Sequence, residues 1–285
     1  MMSKFTQLDV STEDDKIIVG RMFVPQGEPI AAVLIVPAMG VKQQYYASFA
    51  SWLSELGYLV ATFDYRGIGL SHSGSLRGFQ ADIMDWAQLD CAAMVKTVTE
   101  AADKKPFYLI GHSLGGQIYP FLPDRSFVTK MVTVASGCGY WGDAPPRLRR
   151  VSWYLWYLVV PLALRLFGYF PGRRLRKVGD LPHAVMAQWR RWCLHPDYVV
   201  GVEGEQARDL YSTVKTPITS LSFSDDEFMS ARNIEKLHDL YTAAPRVMKQ
   251  ISPSEINVEK IGHFGFFRPK FKESLWEKYL LPELS

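Results

Sequence analysis

One short segment constrains the fold of this chain more than any other. Residues 106–117 read Pro-Phe-Tyr-Leu-Ile-Gly-His-Ser-Leu-Gly-Gly-Gln, an apolar, β-prone run that ends in a Gly111–Gly115 turn of the form G-x-S-x-G. A helix-compatible segment follows it. In the order strand, sharp turn and helix, the serine hydroxyl points into a cleft, and the glycines leave room where strand and helix pass closely. The pattern predicts that Ser113 is a nucleophile at the end of a buried strand.

The segments around this turn alternate between strands and helices. Continuous apolar runs, typical of strands buried on both faces of a parallel sheet, cover residues 31–36, 58–63, 107–112, 128–135 and 217–223. Helical spacing covers residues 43–56, 79–100, 231–241 and 269–281, with an edge hairpin over 5–24 and a last strand over 246–251. This order predicts an α/β fold with a doubly wound, mostly parallel sheet, whose ligands bind at the carboxyl ends of the strands.

The alternation breaks between residues 136 and 217, where the composition changes. Five of the eight tryptophans lie there, and residues 141–180 carry eight basic and two acidic side chains. The apolar run over 151–164 has 14 residues, fewer than the ~20 that span a bilayer. We expect residues 140–212 to form a helical cap over the strand ends. The cap is then an insertion into a core of residues 1–139 and 213–285.

A serine hydroxyl needs a base within hydrogen-bond reach, and the base needs an orienting acid. Among the six histidines, His263 lies in a Gly-flanked loop after the last predicted strand, so we predict it as the base. His112 is inside the turn and should point away from the hydroxyl. The acid should precede the histidine in the chain, which leaves Asp225 and Asp226. Asp226 is preferred because the next residue begins the turn into a helix, and the other carboxylate is expected to be solvated or to cap that helix.

An oxyanion formed at the serine needs two backbone N–H donors. Leu114 follows the serine, and Met39 lies in the loop after the 31–36 strand, a segment that could also be a simple turn. Three cap tryptophans are predicted to contact an apolar acyl or aryl part of a small-molecule substrate: Trp141, Trp153 and Trp156. The loop over 64–71 lacks the lysine and spacing of a phosphate loop, so it is interpreted as a structural turn. No spacing typical of metal ligands is present, and neither a metal nor a cofactor is expected.

Composition narrows the class of partner. A net charge of +3 argues against nucleic-acid binding, and three cysteines without metal-type spacing indicate reduced thiols. The first ten residues lack the apolar core of a signal peptide, so a cytoplasmic location is expected. The aromatic, basic cap also predicts transient contact with an acidic membrane surface.

Four stretches of the sequence together resemble the α/β-hydrolase superfamily, in its capped serine-hydrolase branch (the serine aminopeptidase/monoacylglycerol-lipase-like group). They are residues 36–40, 58–71, 111–116 and 262–263. The resemblance implies a triad of Ser113, Asp226 and His263, with Met39 and Leu114 as oxyanion donors. The chain differs from the usual pattern in having Pro37-Ala38 in place of His-Gly. Its acid turn, Asp-Asp-Glu-Phe-Met-Ser, replaces the usual Asp-Pro form.

These observations give one leading hypothesis and two alternatives. The leading hypothesis is a serine hydrolase that cleaves a carboxylic ester or thioester through an acyl-enzyme. An acyltransferase would use the same three residues and pass the acyl group to an alcohol or thiol. A non-catalytic binder of hydrophobic ligands would keep the fold without the chemistry, which the intact order of Ser, acid and His disfavours.

Overall fold

A central eight-stranded sheet organises the protein, for which a computed structural model describes residues 5–175 and 178–285. Its strands are β1 (Thr6–Ser11), β2 (Ile17–Phe23), β3 (Ala31–Val36), β4 (Tyr58–Phe63), β5 (Phe107–His112), β6 (Lys130–Val134), β7 (Ile218–Phe223) and β8 (Arg246–Ile251). Their spatial order is β1-β2-β4-β3-β5-β6-β7-β8. The β1–β2 and β2–β4 pairs are antiparallel, and the pairs from β4 to β8 are parallel. The predicted α/β fold with a mostly parallel sheet is confirmed.

Helices cover both faces of this sheet, which explains why its central strands are apolar throughout. The α-helices are α1 (Ala47–Glu55), α2 (Ile83–Asp85), α3 (Ala92–Ala102), α4 (Leu114–Gln117), α5 (Pro146–Tyr154), α6 (Val160–Phe167), α7 (His183–Leu194), α8 (Tyr198–Val202), α9 (Gly204–Ser212) and α10 (Ala231–His238). Every residue of β3 is buried: Val33 and Ile35 belong to the apolar cluster with Trp52 and Trp276, whereas Leu34 belongs to the one with Trp86. Successive strand residues thus serve two separate cores.

Wider and tighter helical turns complete the secondary structure. The π-helical turns are Trp86–Cys91, Leu155–Val159 and Lys272–Leu280, and the 3-10 turns are Gln43–Tyr46, Tyr119–Phe121, Trp141–Asp143, Pro253–Ile256, Pro269–Phe271 and Leu281–Glu283. The first π turn joins α2 to α3, so the helix predicted over 79–100 runs from Ile83 to Ala102.

The helix that follows Ser113 is short. It is α4, a single turn, and the 3-10 turn with Pro120 follows it. Proline has no N–H with which to continue a helical ladder. A helix of one turn has only a small dipole at its N-terminus. Negative charge that develops at Ser113 must therefore be stabilised by individual N–H groups.

The segment between β6 and β7 contains α5 to α9, all of them helical. Gln117 on α4 ties this segment to the core: its side-chain oxygen accepts from the Tyr198 hydroxyl at 2.9 Å, and its carbonyl accepts from the Tyr211 hydroxyl at 2.6 Å. The division into a 140–212 cap and a two-part core remains a prediction. Arg176 and Lys177, counted above among the basic residues, and the first four residues lie outside the described residues.

Within the described ranges, no helix combines the length and apolar character needed to cross a membrane.

His238 gives a pH test of the fold. Its buried ring lies 2.9 Å from the Thr133 hydroxyl and 2.7 Å from the Ile234 carbonyl oxygen, and burial lowers its pKa from 6.5 to about 4. Between pH 6.5 and 4 the unfolded chain binds the proton and the folded chain does not. This histidine should therefore lower the free energy of unfolding by about 3 kcal/mol as the pH falls through that window. Above pH 6.5 it should have no effect on the free energy of unfolding.

Urea unfolding of wild type and His238→Gln at pH 7, 5.5 and 4 measures this contribution. The variant should lose less stability on acidification, by about that amount. His112 is also buried with a lowered pKa, but it is present in both proteins, so the difference between them isolates His238. Parallel pH dependences would contradict the assignment.

Candidate active site

Ser113 lies on the sharp turn between β5 and α4. Its backbone has φ +50° and ψ −113°, a conformation that costs a non-glycine residue on the order of 1–3 kcal/mol. Contacts with β6 and the turn after it hold it there: the Ser113 N–H donates to the Val134 carbonyl at 2.9 Å, and the Ser136 hydroxyl donates to the Ser113 carbonyl at 2.8 Å. A Cβ on Gly115 would overlap the Val36 carbonyl oxygen. Glycine there lets the turn reach the carboxyl end of β3.

His263 and Asp226 form a buried pair. The His263 Nδ1 and the Asp226 Oδ2 are 2.8 Å apart, and both side chains are almost fully buried. The other carboxylate oxygen, Oδ1, accepts from the backbone N–H groups of Phe228 and Met229 at 2.8 and 2.9 Å. The carboxylate is thus fixed by its own turn and presents one oxygen to the ring. Nε2 is left as the nitrogen that can exchange a proton with a substrate-side group.

The neighbours of Asp226 bind the backbone of the same loop, which the sequence did not reveal. The Asp225 carboxylate accepts from the N–H groups of Ile261 and Gly262 at 2.9 to 3.1 Å, and Glu227 accepts from the His263 N–H at 3.0 Å. The expectation that Asp225 is solvated or caps a helix is therefore wrong. Three consecutive carboxylates position the loop of one histidine: Asp225 through the two residues before it, Glu227 through its own N–H, and Asp226 through its ring.

His112 joins this loop to the loop after β3 through a continuous hydrogen-bond chain. The Ala38 N–H donates to the Tyr46 hydroxyl at 3.0 Å, which lies 2.9 Å from His112 Nδ1, and His112 Nε2 lies 3.2 Å from the His263 carbonyl oxygen. Nε2 must donate to that carbonyl, so Nδ1 accepts from the hydroxyl and the ring is neutral. Burial lowers the pKa of His112 well below its ordinary value, in agreement with this tautomer.

The two predicted oxyanion donors lie in adjacent segments. Leu114 is the first residue of α4, and Met39 follows Ala38 in the loop after β3; both side chains are buried in the same apolar cluster. The Ala38 N–H is used by Tyr46, which leaves Met39 as the next backbone group of that loop. Gly40, with φ +67°, then turns the chain away. The donor role of Met39 and Leu114 remains a prediction.

A cavity of about 440 Å³ lies between the residues after β6, the α5 to α7 helices and the two loops that hold the Asp226–His263 pair. Trp141 and Trp156 line it, as do Phe228 and Phe264, whose ring centroids are 5.1 and 4.9 Å from that of His263. The cavity thus adjoins the candidate base. It has a predominantly apolar lining that also includes Leu148, Val151, Tyr154, Leu155, Val159, Phe170, Met186 and Trp189.

Trp153 is not brought to this cavity, although the sequence predicts that it contacts substrate together with Trp141 and Trp156. Its side chain is 54% exposed and packs edge-on against Tyr154. Residues three apart usually lie near the same face of a helix, yet Trp156 is buried and lines the cavity while Trp153 is exposed. Conversely, the sequence did not single out Phe228 and Phe264; their positions beside Asp226 and His263 were the available signal.

The polar loop after β4 is structural, as predicted. Asp64 accepts from the backbone N–H groups of Gln43 and Leu70 at 2.7 and 2.9 Å. Arg66 pairs with Asp90 and Asp14, both at 2.7 Å, and holds the pKa of Asp14 well below its ordinary value. Across the described part of the chain, no group of three or more His, Cys, Asp or Glu side chains could hold a metal ion.

Comparison with solved structures shows the same fold at low sequence identity. An esterase of Pyrococcus furiosus is 14% identical, with 96% of this chain and 89% of that one covered and a TM-score of 0.59. A thermostable carboxyl esterase from Bacillus coagulans is 15% identical (87% and 90% covered, TM-score 0.60). A soluble variant of Saccharomyces cerevisiae monoglyceride lipase is 15% identical (88% and 87% covered, TM-score 0.61). Among curated proteins, none matches the sequence.

A family profile gives the more specific result. The family described as serine aminopeptidase, S33, matches residues 27–188, more than half of the chain. The match includes the loop after β3 and the Ser113 turn. Asp226 and His263 lie beyond its end, so their predicted roles as acid and base are supported by the geometry and not by the profile. The chain therefore belongs to the S33 serine aminopeptidase family, and it is a serine hydrolase of the α/β-hydrolase fold.

Proposed function

We propose that the protein cleaves carboxylic esters or thioesters through an acyl-enzyme on Ser113. The observation that carries the proposal is the buried Asp226–His263 pair, 2.8 Å apart, next to the Ser113 turn. The ring centroids of His263 and His112 are 5.4 Å apart, and His112 is the residue before the serine. These distances support a base with an oriented tautomer near a strained serine, the arrangement that nucleophilic catalysis requires.

The reaction follows from the roles of these groups. The Ser113 hydroxyl attacks the carbonyl carbon while His263 Nε2 takes its proton, and Asp226 stabilises the imidazolium that forms. The oxyanion accepts hydrogen bonds from the backbone N–H groups of Leu114 and Met39. His263 then protonates the leaving alcohol or thiol, and a water molecule, activated by the same ring, releases the acid and restores Ser113.

The cavity supports an apolar acyl or aryl group as the part of the substrate that is recognised. Among the described residues that line it, aromatic and aliphatic side chains predominate and no carboxylate is present. An aminopeptidase pocket must bind the charged amino terminus of a peptide, and burying that ammonium without a carboxylate is costly. An apolar acyl chain needs no such partner, so an ester fits this cavity better than a peptide does.

Ser113→Ala tests the nucleophile directly. Wild-type protein should be labelled by a fluorophosphonate probe, and a p-nitrophenyl ester should be hydrolysed with a burst of product. Both should disappear in Ser113→Ala, and labelling should fall at least 100-fold in His263→Ala because the hydroxyl loses its base. His195→Ala, a cap histidine, is the control and should be labelled normally. Labelling that persists in Ser113→Ala would refute the proposal.

The choice of acid is tested by two neighbouring substitutions. In Asp226→Asn an amide donor faces His263 Nδ1 and favours the wrong tautomer, so kcat should fall about 10³–10⁴-fold. In Asp225→Asn the side-chain carbonyl still accepts one of the two loop N–H groups, and kcat should fall tenfold or less. Steady-state kinetics on one soluble ester separates them. Equal losses, with equal thermal stability, would mean that Asp226 has no special role.

The cavity assignment predicts a change in chain-length preference. Trp141→Ala enlarges the cavity and should shift the optimum of kcat/KM toward longer p-nitrophenyl esters, whereas Leu148→Trp fills it and should shift the optimum toward shorter ones. Trp153→Ala removes an exposed tryptophan of equal size and is the matched control, with no expected shift. If all three variants keep the wild-type profile, the acyl group binds elsewhere.

A further inference from the structure

A row of large apolar side chains on the helices of residues 146–167 is exposed to solvent. We define the outer cap face as these residues: Val151, Trp153, Tyr154, Tyr157, Leu158, Leu162 and Leu166. Each is between 44% and 64% exposed. They lie within 16 residues of chain, whereas the other exposed large hydrophobics are scattered over the rest of the surface. A contiguous apolar surface of this kind marks an interaction site.

The spacing of these residues places them on one side of a continuous helical run made of α5, the Leu155–Val159 turn and α6. Positions 151, 154, 158, 162 and 166 recur every three or four residues, the period of one helix face. The opposite side carries Ser152, Trp156, Val160 and Ala163, all of them buried. The helix thus has an inner face that contributes to the core and an outer apolar face that is largely exposed to solvent.

Positive charge surrounds the outer cap face. Arg147, Arg149 and Arg150 precede it, Arg165 lies within it, and Arg173 and Arg174 follow it; all six are exposed. The sequence contains no acidic residue between Asp143 and Asp180. The Asp143 carboxylate forms ion pairs with Arg232 and Lys236 at 3.1 and 2.5 Å, so its negative charge is already compensated. The segment of chain that carries the apolar face is therefore cationic.

This combination fits the surface of an anionic bilayer better than a protein groove. An interfacial helix places its Trp, Tyr and Leu side chains at the boundary between headgroups and acyl chains while arginines bind the headgroups. Trp153, Tyr154 and Tyr157 have the amphipathic rings that prefer the headgroup level. The run lies along the protein surface and packs its inner face on the core, so it would rest on the membrane without crossing it.

We propose that the outer cap face docks on an anionic lipid bilayer. The proposal goes beyond ester hydrolysis and does not need it. It has one structural consequence for the site: Val151 and Tyr154 belong to the outer face and also line the cavity beside His263. A docked protein would have one wall of its cavity in contact with lipid, and an apolar acyl substrate could pass from bilayer to cavity without crossing water.

Co-sedimentation with lipid vesicles tests the docking. Wild-type protein should bind vesicles that contain 30 mol% phosphatidylserine and bind phosphatidylcholine vesicles at least tenfold more weakly. Arg149→Gln with Arg150→Gln should lower the partition coefficient about 25-fold, because each arginine near such a surface is worth roughly fivefold. Leu162→Gln with Leu166→Gln should lower it at least tenfold through lost apolar burial.

Matched controls use equally exposed residues elsewhere. Ile17→Gln with Val247→Gln replaces two apolar side chains that are 62% and 51% exposed, and Arg208→Gln with Lys215→Gln removes two exposed cations outside the face. Both control pairs should bind like wild type. Absent vesicle binding by wild type, or equal losses in control and face variants, would overturn the proposal.

Two further measurements separate this proposal from its alternatives. Brominated lipids should quench the tryptophan fluorescence of wild type more than that of Trp153→Phe, because Trp153 lies at the boundary between headgroups and acyl chains. If the face instead joins two copies of the chain, wild type sediments as a dimer without lipid and Leu162→Gln with Leu166→Gln as a monomer, which would refute membrane docking. Ser113→Ala should bind vesicles unchanged, so a failure of the hydrolase proposal leaves this test intact.

Discussion

The candidate site depends on one buried hydrogen-bond chain, from the Ala38 N–H through Tyr46 and His112 to the carbonyl of His263. Each donor in it has a single acceptor, so the chain works only when His112 is neutral. It fixes the loop after β3, the residue before the serine and the loop of the base relative to one another. Because all its members are buried, a missing bond would leave a desolvated polar group, which costs about 1–3 kcal/mol.

The fold and the chain positions of the triad candidates could be predicted because local sequence signals determine them. Apolar runs specified the parallel strands, and the close contact at Gly115, where a Cβ would overlap the Val36 carbonyl, explains the second glycine of the G-x-S-x-G turn. The placement of the serine, the acid and His263 at one edge of the sheet followed from topology, since the carboxyl ends of parallel strands meet there. These features need no knowledge of side-chain packing.

What could not be predicted depends on which way neighbouring residues face. Asp225 and Asp226 are adjacent, and only the loop geometry shows that one carboxylate binds two backbone N–H groups while the other binds the His263 ring. Trp153 and Trp156 are equally apolar, yet one faces solvent and one the cavity. Helical spacing shows which residues share a face, but it does not show which face is buried. In a run that is apolar nearly all round, either face could be the buried one.

That ambiguity has a physical origin in the helical run of residues 146–167 itself. An ordinary surface helix pairs an apolar inner face with a polar outer one, and the position of the polar residues then shows which face is outside. Here apolar residues occur on both faces, and the arginines lie mainly at the two ends. Leaving seven large apolar side chains in water gives up the roughly 25 cal/mol per Å² that their burial would supply. A helix that has only to close a cavity gains nothing from that exposure, whereas a helix that must also contact lipid requires it. The outer face is therefore best explained by a contact outside the protein, and the inner face by the cavity beside His263.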